Sequence, residues 1–398
     1  MYLFNSIFEK DFNLNKFFLK FVFFVSLLII SINFYEWLIE RSYYEYSDWL
    51  INYQGGFTRR GLIGEFLYIL YSITTIRLDL LVYIFVMSLY IFFFYFLFKI
   101  LDKAKLNFLN SLIIFSPLSF IYLATSKTLA GRKEILLFLL ITIFFYKFEK
   151  IKFENVKYWL IFIFLLTSLT HFGFVFYFPF LVLFFIFFYY RQTPKSIIQQ
   201  MLPVLIAGLT ICFSLLYVTI YSKPDISLLC ESIKEFTKQC PEETYVRVFT
   251  YSFNDIFKII NNFYINNYII KYPIYYVLAF APIYFALFNL KDGKNFKVKY
   301  LILILIASTF FTFPVFFLGA DYGRYIQWQY MFYLLIYLKV IQLKLFKFKG
   351  GNLIINSKIP LILFCLIIFF YGFFWSVPHC CEKDFSFLFD KIFFKLIN

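Results

Sequence analysis

Four short stretches carry residue types whose spacing suits chemistry on an anion. The richest reads Asn52-Tyr53-Gln54-Gly55-Gly56-Phe57-Thr58-Arg59-Arg60-Gly61-Leu62, with Asp48 just before it and Glu65 just after. Gly55 and Gly56 allow a tight backbone path, and Gly61 and Gly64 let a following helix begin close against a neighbour. Exposed N–H groups at such a helix start, beside the Arg59 and Arg60 guanidinium groups, form a site for phosphate or diphosphate. Asp48 and Glu65 would serve there as general base or as ligands for a divalent cation. The plainer alternative is an interfacial loop whose arginines reach out to lipid phosphates.

The second stretch is Gly131-Arg132-Lys133-Glu134, where two cations precede an apolar run that Glu134 opens. Arg132 and Lys133 suit an anionic partner, whereas Glu134 is explained by a helix dipole alone. The third is His171, between two apolar runs. An ionisable group at membrane depth carries a functional expectation, against the common case of a satisfied buried imidazole. The fourth is Asp321-Tyr322-Gly323-Arg324. Here the acid and the base pair with each other if the turn is helical, or serve one substrate as base and phosphate clamp. His379, beside Cys380 near the end of the chain, is a weaker candidate.

The elements that must position these groups are membrane helices. Of 398 residues, 62% are hydrophobic and 15% charged, and the mean hydropathy is +0.77. Soluble chains carry about 25% charged residues, so the bilayer is the solvent and the fold class is all-α, polytopic. About eleven spans are expected, at 17–37, 80–98, 108–125, 134–147, 158–171, 174–190, 199–221, 272–290, 300–318, 328–343 and 359–377. The fourth and fifth are short, and 61–76 reads as an interfacial or re-entrant helix because it contains Glu65 and follows two arginines. The whole chain, 1–398, reads as one integral membrane domain, with 222–271 as a small extracytoplasmic insertion.

Alternate connections are basic: Lys99 to Lys105, Lys147 to Lys157, Arg191 to Lys195, Lys291 to Lys299 and Lys344 to Lys358. Placing these in the cytoplasm puts the N-terminus inside and the C-terminus outside, with Trp37, Trp49, Trp328 and Trp375 at the outer interface. All four stretches then share the extracytoplasmic side. The net charge of +15 answers to this pattern and to anionic lipid head groups, not to nucleic acid. Cys230 and Cys240 fall in the outer insertion, where either a disulfide or two free thiols is compatible with the spacing. Neither zinc-type Cys/His spacing nor a cofactor fingerprint occurs.

The motifs Asn52 to Leu62, Gly131 to Glu134 and Asp321 to Arg324, together with the number of apolar runs, resemble the O-antigen and capsular polysaccharide polymerases, the Wzy-like group. The resemblance implies transfer of a growing glycan from undecaprenyl diphosphate onto a new repeat unit at the outer face of a bacterial inner membrane. No nucleotide sugar or cofactor takes part, and a chain-length regulator is a possible partner. Arg59, Arg60, Arg132, Lys133 and Arg324 would hold the diphosphate, and Asp48, Glu65, His171 or Asp321 would take the acceptor proton. Phe172 stands where such proteins often have an acid after the histidine. Two alternatives remain beside it. One is a C-type membrane glycosyltransferase using a polyprenyl-phosphate sugar, with Glu45 and Asp48 in its first outer loop. The other is a lipid-linked glycan flippase or transporter, which would call for internal repeats and a charged path across the membrane.

Overall fold

The computed structural model describes residues 2–41, 44–58, 60–102, 108–125, 129–189, 194–221, 224–238, 258, 268–319, 321–348, 361–373 and 377. Arg59, Cys240, His379 and Cys380 lie outside them. The chain is a bundle of helices: α1 (Tyr2–Glu40), α2 (Tyr44–Leu50), α3 (Leu62–Thr74), α4 (Leu78–Leu101), α5 (Phe108–Ile114), α6 (Tyr122–Thr125), α7 (Glu134–Lys147), α8 (Val156–Thr170), α9 (Phe178–Tyr189), α10 (Pro194–Tyr221), α11 (Ile226–Ile233), α12 (Tyr268–Phe288), α13 (Val298–Thr312), α14 (Val315–Leu318), α15 (Tyr322–Gln342) and α16 (Leu361–Phe373). Two residues on each side, Leu290–Lys291 and Lys347–Phe348, pair as a small antiparallel ladder, β1 with β2.

Among the described residues, six helical stretches are long and apolar enough to cross a membrane: Leu19–Glu40, Leu78–Leu101, Phe172–Tyr189, Ile197–Tyr217, Lys271–Phe288 and Val298–Phe317. Their outward faces carry large apolar side chains such as Phe24, Ile84, Leu205, Phe213 and Phe310, all exposed. In water such a surface would drive association; against lipid tails it costs nothing. The chain is therefore a polytopic helical membrane protein.

The innermost elements are not the most apolar. α15 is buried from Gly323 to Val340 although it holds Arg324, Gln327, Gln329 and Lys339. Its neighbour α7 is buried over nearly all of Glu134 to Phe145. At about 21 Å, α7 is shorter than the ~30 Å hydrocarbon layer, so its ends lie where polar loops can reach them. The two helices run parallel: Glu134 meets Arg324 at one end, and Lys339 donates to Glu149 (3.1 Å) at the other.

Two elements differ from expectation. The run 108–125, read as one crossing, is α5 and α6 separated by a non-helical, buried stretch from Phe115 to Ile121. Pro117 supplies the reason: it lacks an N–H and disfavours helical backbone at Ser116. Backbone freed at that depth must be satisfied by the protein. Tyr330 Oη donates to Ile113 O (2.7 Å) and Gln327 Nε2 to Ser119 O (3.5 Å). The second is α15, which begins at Tyr322 instead of residue 328 and so carries Arg324 in its first turn. The short helix α3 follows the arginine-containing loop and packs on α2, α4 and α8.

Candidate functional site

The loop after α2 is fixed at several points before it delivers Arg60. Trp49 donates its indole N–H to Gly131 O, tying the loop to the turn before α7. Glu65 Oε2 accepts the Tyr53 N–H (2.8 Å) and Oε1 accepts from Gln54 Nε2 (3.1 Å). Gly64 lets α3 start against the loop, since a Cβ there would lie 1.9 Å from Ile51 O. Gly55 serves a similar approach: its carbonyl accepts the Asp225 N–H (2.6 Å), and a Cβ would lie 1.9 Å from Asp225 O. Gly55 therefore docks the segment 224–238. Gly56 (φ 106°) makes the turn beside it.

That segment is stapled across this end of the bundle. Lys238 N–H donates to Arg41 O (2.8 Å), Ser47 Oγ and Thr237 Oγ1 lie 2.9 Å apart, and Asn52 Nδ2 donates to Ser232 Oγ (2.9 Å). Cys230 is in a disulfide; its partner lies outside the described residues.

Beneath this cover the charged groups of four stretches meet. Arg60 Nη1 lies 3.4 Å from Asp48 Oδ1 and Nη2 lies 3.1 Å from His171 Nε2. Lys133 Nζ donates to Arg60 O (2.7 Å) and stands 3.8 Å from Asp48 Oδ1. Arg324 Nε donates to Glu134 Oε1 (2.6 Å), Nη2 reaches the same oxygen, and Nη1 bonds Asp321. Arg132 and Arg324 both act on the Asp48 carboxylate. Of the expected site residues, Asp48, Arg60, Arg132, Lys133, His171, Asp321 and Arg324 thus share one region. Glu65 does not: both its oxygens brace the loop.

Arg60, Arg132, Lys133 and Arg324 stand among Asp48, Glu134 and Asp321. Asp48, Arg132, Lys133, Glu134 and Arg324 are buried. Burial pushes the Asp48 carboxyl up, but Lys133, Arg60, Arg132 and Arg324 outweigh it and hold the group below its usual range, ionised. Burial pushes the Lys133 ammonium down to about 8, against the pull of Asp48, with Arg60 adding to the burial effect.

His171 is in the turn between α8 and the 3-10 stretch Phe172–Tyr177. Its Nδ1 faces the Gly173 N–H at 3.2 Å, while Nε2 faces Arg60. Guanidinium only donates, and an imidazolium would place its own N–H against each of these donors. A neutral ring has one lone pair to offer and an imidazolium none, so the ring is neutral and its tautomer decides which of the two contacts is a hydrogen bond.

Two participants escaped sequence reasoning. Glu134 is explained equally well as a helix start, and its partner lies 190 residues away. Trp328 reads as an interfacial indole, yet it is fully buried between His171 (5.4 Å, edge-on), Phe174 and Tyr325, with the Arg324 guanidinium 5.7 Å from the ring centre. Its position four residues after Arg324, one helical turn on, was the available signal.

The arrangement can neutralise an oxyanion between guanidinium groups and offer a neutral imidazole beside it. No group of three or more histidine, cysteine or carboxylate side chains placed to hold a metal occurs among the described residues. Comparison of the chain with protein-family models, with curated proteins and with solved structures finds no match.

Proposed function

We propose that the chain polymerises polyprenyl-diphosphate-linked oligosaccharide repeat units at the extracytoplasmic face of a bacterial inner membrane. The observation that carries the reading is the convergence of Arg60, Arg132, Lys133 and Arg324, from three separate parts of the chain, beside His171. Several guanidinium groups and an ammonium gathered at one place suit an anion with several oxygens, and guanidinium forks suit a diphosphate. The apolar bundle around them accepts the polyprenyl tail.

In this reading an acceptor hydroxyl oxygen attacks the anomeric carbon of the donor glycan. The bond from that carbon to the diphosphate oxygen breaks, and its electron pair leaves with the polyprenyl diphosphate. Arg60 and Arg324 carry the leaving charge. Arg60, on turning to a phosphate oxygen, frees His171 Nε2, which takes the hydroxyl proton in the tautomer that carries its hydrogen on Nδ1. Asp48, ionised and gripped by Lys133 and Arg60, orients these cations. The proposed topology keeps eleven crossings, the six long apolar helices together with α7, α8, α15, α16 and the broken α5–α6 pair, with the basic turns around Lys147, Lys291 and Lys344 in the cytoplasm.

The test is genetic. Cells lacking the gene should lose surface polymer and accumulate single lipid-linked repeat units. Arg60→Ala should reproduce that state at normal protein level in the membrane. Normal polymer in the deleted strain would refute the reading.

A further inference from the structure

Among the described residues, two of the buried polar atoms without a hydrogen-bond partner belong to side chains that flank Arg324: Glu134 Oε2, whose other oxygen Arg324 binds, and the indole Nε1 of Trp328, whose ring centre lies 5.7 Å from the guanidinium. Glu134 is 1% exposed and Trp328 0%. Both side chains are held in place by other contacts. Glu134 is anchored through Oε1 by the Nε and Nη2 of Arg324. The Trp328 ring is wedged edge-on among Phe174 (4.6 Å), Tyr177 (5.2 Å) and Tyr325 (5.4 Å). Native proteins seldom leave such atoms unsatisfied, because each forfeits a hydrogen bond it would make in water. One is a pure donor and the other a pure acceptor. A phosphate offers acceptors only and would satisfy the indole but be repelled by the carboxylate. A hydroxylated ring offers both.

We propose that Glu134 and Trp328 form a hydroxyl-recognition subsite that seats the acceptor sugar beside the diphosphate cluster, Glu134 Oε2 accepting from a sugar O–H and Trp328 Nε1–H donating to a sugar oxygen. The inference rests on the polymerase reading and adds the residues that choose the acceptor. Both are positioning residues: neither exchanges a proton. Arg324 is shared, one face toward the carboxylate that holds the sugar and its charge toward the leaving phosphate. The attacking hydroxyl is thereby set close to the phosphate-bearing carbon, the proximity on which such a transfer depends.

The test uses the full chain in nanodiscs, with lipid-linked oligosaccharide extracted from a strain lacking the gene. Polymer formation is measured against oligosaccharide concentration, and retention of undecaprenyl diphosphate is measured separately. Trp328→Phe keeps the ring and removes the N–H. It should raise the half-maximal concentration about threefold to tenfold, the loss of one neutral hydrogen bond. Retention of undecaprenyl diphosphate should stay as in the wild type. Glu134→Gln should raise the half-maximal concentration more severely. Because it disturbs a buried ion pair, Glu134→Asp, which keeps the charge, serves as its control and should fall between the two. An unchanged half-maximal concentration in Trp328→Phe would overturn the subsite and leave the diphosphate reading standing. Equal loss of sugar response and of diphosphate retention would also overturn it, since the indole would then serve the phosphate. If wild-type protein forms no polymer and retains no undecaprenyl diphosphate, both proposals fall together.

Discussion

Arg60 Nη2 and His171 Nε2 stand 3.1 Å apart although 111 residues separate them. The contact joins a loop near the start of the chain to the turn after α8. If Arg60 binds phosphate, Arg60→Lys should lower undecaprenyl diphosphate retention about tenfold to a hundredfold, because an ammonium cannot reproduce the fork. His171→Asn should leave retention in place and slow polymer formation on the order of a hundredfold or more. Wild-type turnover by His171→Asn would remove the histidine from the reaction.

Lys133 gives the site a pH signature with opposite signs for binding and stability. Its folded-state value of about 8 is below its ordinary value, so the site loses a cation as pH rises through about 8. Diphosphate retention should therefore fall between about pH 7 and 9, and Lys133→Arg should flatten that step. Over the window from about 8 to the ordinary lysine range the unfolded chain binds the extra proton, so stability should rise with pH. Thermal unfolding in detergent across that window checks the sign.

Gly64 and Gly55 act through close approach of backbone. A Cβ at Gly64 would meet Ile51 O at 1.9 Å, and one at Gly55 would meet Asp225 O at the same distance. Gly64→Ala should cost about 1–3 kcal/mol or more by overpacking and lower the unfolding temperature. Gly55→Ala should instead release the segment 224–238, read as faster proteolysis there while the bundle stays folded.

Cys230 should label with a membrane-impermeant maleimide only after reduction. Cys240→Ser should expose it without reduction if Cys240 is the partner. Labelling in unreduced Cys230 would contradict the disulfide.

Reporter fusions after Lys105 and Lys157 should score cytoplasmic, and a fusion after Asn398 periplasmic. The reverse pattern would place the Arg60 cluster in the cytoplasm and remove the polymerase proposal.

The site was legible wherever charge interrupts an apolar run. Arg60, Lys133, His171 and Arg324 each stand out because a bilayer tolerates such residues only where something else holds them. Their grouping was an inference from loop side alone, and the contacts between Arg60, Asp48, Lys133 and His171 give it geometry. Gly55 reads as giving a tight backbone path, and the close approach to Asp225 that it serves lies in a segment far along the chain, with no local signature. The break at Pro117 was hidden by the unbroken hydrophobicity of its neighbours, which are buried in protein whether helical or not. Glu134 and Trp328 stayed invisible because a pairing across 190 residues has no local signature.

The parallel clasp of α7 on α15 bears on how the chain enters the bilayer. Arg324 and Lys339 stand in the first and last turns of α15, and Gln327 and Gln329 lie between them, all four buried in protein. Its counter-charges, Glu134 and Glu149, are translated far ahead of it. The late, polar helix is thus received by a cleft that already carries its partners. Packing of α15 is thereby tied to helices made earlier, and loss of either glutamate would leave a buried cation without that partner.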